Sequence, residues 1–177
     1  MKTSWLVLAG GLMCAGANAA NPTPSANLHD LMKNVVAPQA QVIWDVGNQA
    51  QDDQGNPDAS KLKPADWTKM AAAAGKVKQA SQTLAQADHV MAAEPGQKIE
   101  GEGSPDAFST KDVQKVLDAK PKEFRAFAQA LAASMDEVIQ SAQTKNATKL
   151  ADVSGNLDQI CESCHVEFWY PNQKTPK

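Results

Sequence analysis

The chain is short of the residues that build β-sheet and of those that grip nucleic acid. Aromatic residues make up 5% of its 177 positions, and no stretch alternates polar and apolar side chains as a half-buried strand would. That points away from sandwiches and barrels. Arginine occurs once, at Arg125, and 17 basic residues face 20 acidic ones, a formal charge of −3. Such a chain has little with which to neutralise a phosphate backbone or an anionic membrane, so neither is an expected partner. Cysteine occurs three times, too few for a disulfide scaffold. There is no internal repeat. Past the first twenty or so residues, no apolar run is long enough to span a bilayer.

The start of the chain belongs to a different category. Met1 and Lys2 are followed by an uncharged, largely apolar run from Trp5 to Ala17, and Ala17-Asn18-Ala19 fits the small-residue cleavage pattern. Residues 1–19 therefore read as a secretory signal peptide, cut after Ala19 or Ala20, which places the protein in the periplasm. A lipoprotein signal centred on Cys14 is the rival, but Met13 stands where such a site wants a small residue. A retained membrane anchor agrees less well with the small residues at the run's end. Cleavage removes Lys2 and Cys14 and leaves roughly 157 residues, 20–177, the size of one ordinary domain.

What the mature chain does have is helical periodicity. Leu28, Leu31, Met32 and Val35 form a stripe that Val42, Ile43 and Val46 continue to about Gly47; Pro38 predicts a kink or break within it, and Asn27 an N-cap. A polar loop with Gly and Pro follows. A second helix is expected from Pro64 to about Ala93, with Trp67, Met70, Ala74, Val77, Leu84 and Met91 on one face. A short helix is expected over Lys111 to Ala119. A third long one follows Pro121 (Phe124, Phe127, Leu131, Met135, Val138), and a fourth runs from about Asn146 to Phe168 (Leu150, Val153, Leu157, Ile160). The predicted fold class is all-α, an antiparallel four-helix bundle in up-down-up-down order.

Chemistry concentrates in the fourth segment, at Gln159 to Pro171, QICESCHVEFWYP. Cys161 and Cys164 are three apart and His165 follows at once. On a helix, positions i, i+3 and i+4 share a face, so all three join the apolar stripe. A disulfide here would close too small a loop to stabilise much. Zinc needs further paired ligands, and only His29 and His89 remain. A thioredoxin-like dithiol should open a helix after a strand, not close one. The remaining reading uses every residue: a c-type haem, two cysteines forming thioethers and the histidine binding iron. Export agrees with it.

A CxxCH motif near the C-terminus, on the last helix of an exported four-helix bundle, resembles the class II c-type cytochromes: the cytochrome c prime group and its methionine-ligated, low-spin relatives. The stretch LHDLMKNVVAPQAQVIWD, Leu28 to Asp45, is similar to the first helix of the low-spin branch, and CESCHVEFWYP is similar to its end. The resemblance implies one covalent haem c per chain, held by Cys161 and Cys164, with His165 as proximal ligand. It also implies that the first helix sets the sixth position. Met32, on the core stripe, is the expected sixth ligand; simple packing is the bland reading of such a methionine. His29 is the alternative, expected beside the stripe and nearer the surface, and nothing marks His89. Met70, Met91 and Met135 are expected to pack.

Trp44, Trp67, Phe124 and Phe127 are expected in the core or lining the haem, and Phe168, Trp169 and Tyr170 over its edge or in ordinary packing. Lys33 and Arg125 are candidates for a haem propionate, with solvated surface charge the default. The function so implied is electron transfer, without substrate turnover and so without catalytic residues, toward an unidentified redox partner protein. The alternative is a five-coordinate, high-spin haem that binds small gases such as nitric oxide. Relatives of this kind are often dimers through their first two helices, so a homodimer is a further expectation.

Overall fold

The computed structural model describes residues 25–170. The signal-peptide expectation lies outside them.

The described residues are mostly helical. A three-residue strand β1 (Ser25–Asn27) leads directly into a short helix α1 (Leu28–Leu31), a π-helical turn (Met32–Val36) and α2 (Ala37–Gln49). Asn27 caps this run as expected, its side chain accepting from the Asp30 N–H at 3.1 Å. The kink or break expected at Pro38 takes the form of this π-helical turn just before it, without loss of the helical path. Proline cannot donate an N–H, and the chain stays helical by tightening nothing and widening one turn just before it, where the Ala37 N–H reaches the Met32 carbonyl. The wide turn rotates the face that follows. Val36, Ala40, Ile43 and Val46 are buried, while Val35 and Val42 are half-exposed.

Helix α3 (Pro64–Gln86) starts with proline at its first position, where the missing N–H costs nothing. It ends seven residues earlier than its periodicity suggests. The chain instead turns into β2 (His89–Met91), which pairs in parallel with β1, Ser25 opposite His89 and Asn27 opposite Met91. Met91 therefore lies on a strand. Helices α4 (Thr110–Ala119), α5 (Pro121–Thr144) and α6 (Ala147–Phe168) stand where expected. Lys145, at φ 51°, makes the left-handed turn between α5 and α6, and Asn146 caps α6 through the Lys149 N–H at 2.9 Å.

Helix α3 packs along α5, α5 along α6, and α2 against both α3 and α6. Two apolar clusters result. One joins Ile43, Met70, Val77, Met135, Val138 and Leu157; the other joins Leu84, Val113, Leu117, Phe124 and Phe168. Leu31 and Met32 touch both. Trp67 is buried within the first cluster. Burying one such Leu or Phe side chain stabilises by roughly 1.5–3 kcal/mol. Among the described residues no helix is long and apolar enough to cross a membrane.

Candidate haem-binding cavity

The apolar stripe of α6 runs through Leu150, Val153 and Leu157, all buried, and then loses its cover. Ile160, Cys161, Cys164 and His165 continue the same face yet are only half-buried. They open onto a cavity of about 500 Å³, within the range of roughly 300–1,000 Å³ typical of cofactor pockets. Its other walls are apolar side chains of α1, α2, α4 and α5, among them Leu28, Val113, Phe127 and Leu131. Met32 and His29 both line it. The π-helical turn begins at Met32, and such turns recur where a helix aims a functional side chain.

Neither cysteine is in a disulfide. Burial, with Asp158 as a smaller cause, pushes the Cys161 thiol up to about 11. Burial, reinforced by Cys161 and Glu167, pushes Cys164 up to about 12. Both are thus protonated at neutral pH, the opposite of a reactive low-pKa dithiol. Burial also lowers the His165 pKa, outweighing the opposing pull of Glu162, which favours a neutral imidazole with a free lone pair. Among the described residues no three His, Cys, Asp or Glu side chains gather to hold a metal ion. A macrocycle that brings four nitrogens of its own would ask for few further donors, and His165, Met32 and His29 are among the residues that line the cavity.

The end of α6 is tied down. Phe168 meets Phe124 and Phe127 edge-on, centroids 5.4 and 6.1 Å away. Trp169 lies edge-on to His165 at 5.1 Å and stacks on Tyr170. Its indole N–H donates to the Glu100 carbonyl at 3.0 Å, and its carbonyl accepts from Phe108 N–H at 2.9 Å. The long loop before α4 therefore holds the aromatic residues beside His165, and Ile99 and Glu100 of that loop join the cavity wall.

The sequence-derived candidates sort as follows. Cys161, Cys164, His165 and Met32 come together around one cavity, with Trp44, Phe124 and Phe127 in its walls. Lys33 is exposed on its rim. Arg125 is not at the cavity: its guanidinium donates to the Ala87 carbonyl at 3.1 Å, satisfying the end of α3. His89 is exposed on β2 and lines a smaller cavity of about 220 Å³ instead. His29 departs from its surface expectation. Its side chain is 10% exposed, and its Nδ1 is buried without a hydrogen-bond partner. What pulls it inward is β1, which fixes the chain just ahead of it. Sequence periodicity had no means of registering that three-residue strand.

Compared with known proteins, the chain matches no family model, no curated protein and no solved structure.

Proposed function

We propose that this protein is a c-type cytochrome of the class II kind. It carries electrons in the periplasm, with one haem c attached through Cys161 and Cys164, His165 as proximal ligand and Met32 as sixth ligand. The observation that carries this reading is the half-buried apolar face at Ile160, Cys161, Cys164 and His165, which lines one cavity of about 500 Å³ together with Met32. A largely apolar cavity of this size with a few donor side chains in its wall suits a large apolar cofactor.

Bound there, haem supplies one-electron exchange between ferric and ferrous iron. The chain's residues do the rest. Cys161 and Cys164 offer two free thiols on adjacent turns of one helix, as a double tether requires. His165 presents a neutral imidazole, oriented by Trp169. Met32 lines the same cavity from the first helical run and would supply a thioether to bound haem, a donor that favours the reduced state. Leu28, Phe127 and Leu131 keep water away, which limits rearrangement when the charge changes. The long helical segments, α1–α2 taken as one with α3, α5 and α6, form an antiparallel up-down-up-down four-helix bundle around this site. Residues 1–19 act as the export signal. The partner is an unidentified redox protein, with no nucleic acid and no stable membrane insertion, and a homodimer is part of the proposal. The chain is not an enzyme.

Production in cells equipped for haem attachment tests this. The expected result is haem stain retained on a denaturing gel, with a methionine–iron charge-transfer band in the ferric spectrum. No covalent haem would overturn the reading. A high-spin ferric form that binds carbon monoxide readily once reduced would shift it to the gas-binding alternative.

A further inference from the structure

Resting on the reading of the cavity as a haem site, we propose that His29 is a second iron donor on the wall that carries Met32, taking the sixth position through Nε2 when the methionine thioether releases it. Three observations lead there. His29 and Met32 are one helical turn apart and line the same cavity. The His29 side chain is nine-tenths buried, yet its Nδ1 has no hydrogen-bond partner, an arrangement that native structures seldom leave without a role. Asp30 Oδ1 lies 3.4 Å from it.

That carboxylate is itself held. Asn27 Nδ2 donates to Asp30 Oδ2 at 2.9 Å, and Gln97 Nε2 donates to Oδ1 at 3.3 Å. A fixed carboxylate facing Nδ1 favours the tautomer with its proton there and the lone pair on Nε2. Metal-bound histidines commonly turn their other ring nitrogen toward a carboxylate in this way. A small ring rotation would complete the Nδ1–H···Oδ1 bond.

The exchange breaks one sulfur–iron coordinate bond and makes one nitrogen–iron bond. Each donor brings its own lone pair, the Nδ1 proton stays in place, and the iron's oxidation state is unchanged. Imidazole is the harder donor of the two, so the ferric state favours the exchange. Its consequence is an iron that remains six-coordinate, and closed to small gases, even without the thioether.

Met32→Ala and Met32→Ala/His29→Leu, made with haem attachment, test the idea by electron paramagnetic resonance in the ferric state and carbon monoxide titration in the ferrous state. The single variant is expected to lose the methionine–iron band but stay low-spin with a two-imidazole signature and resist carbon monoxide. The double variant is expected to become high-spin and to bind it. A high-spin Met32→Ala sinks the proposal, as does a double variant that stays low-spin, which would give the position to another donor such as Lys33. A wild type with the band beside a high-spin Met32→Ala removes His29 alone and leaves the cytochrome reading standing. A wild type without covalent haem removes both. Should the double variant fail to fold by circular dichroism, the two-imidazole signature of the single variant decides by itself.

Discussion

The side-chain amide of Gln114 fills the open edge of β2: Oε1 accepts from the Ala92 N–H at 2.8 Å, and Nε2 donates to the Val90 carbonyl at 3.1 Å. The Ala92 carbonyl in turn accepts from the His29 N–H at 3.0 Å. One peptide segment thus joins α4 to the start of α1, where His29 and Met32 begin the cavity wall. Gln114→Leu leaves a buried N–H and a carbonyl without partners. The expected cost is about 1–3 kcal/mol, read as a lower urea midpoint. An unchanged midpoint would mean that Gln114 merely rests there.

The two cysteines are expected to act independently as tethers. Cys161→Ala/Cys164→Ala should lose all haem stain on a denaturing gel. Each single variant should keep some, with a pyridine haemochrome shifted toward that of a haem with one free vinyl group. Full stain in the double variant would refute the thioether assignment.

Before any thioether forms, the buried thiols make stability depend on pH. Their folded-state values, about 11 for Cys161 and about 12 for Cys164, lie above the roughly 8.5 of an unfolded cysteine. Below that unfolded value both states hold the proton and the thiols do not affect the balance. As pH rises past it, the unfolded chain releases protons that the folded chain keeps, so stability falls until the folded thiols ionise too. Protein made without haem attachment should therefore lose stability from about pH 8.5 upward. The doubly alanine-substituted protein should show a flatter profile in urea titrations over the same range. Parallel profiles would show that the thiols are not buried.

Helices α2 and α6 approach closely at Gly47, where an added Cβ would sit 3.2 Å from Ser154 Oγ. Gly47→Ala is expected to be nearly neutral, crowding offsetting a helix-propensity gain of about 1 kcal/mol. Gly47→Val adds two methyl groups to that contact and should cost about 1–3 kcal/mol. If the two variants melt alike, the helices part more easily than their packing implies.

Much of this architecture is local in origin. The start of α3 follows Pro64, and α5 follows Pro121. Asn146 caps α6, and the three-and-four spacing of Leu150, Val153, Leu157 and Cys161 fixes which face turns inward. Each depends on neighbours within one or two turns, so each is legible in the chain alone, as is the placing of Cys161, Cys164 and His165 on one face. The elements missed depend on distant partners. Helix α3 stops at Gln86 because residues 89–91 find a strand partner some sixty residues upstream, and no window of sequence contains both. The same pairing draws His29 under cover, and the wide turn before Pro38 settles which residues of α2 face inward. The sequence by itself determined the helices and the chemistry carried on α6, because periodicity and motif spacing are short-range. Only the tertiary structure decided that Met32 and His29 line one cavity with that chemistry, because packing between remote segments brings them there.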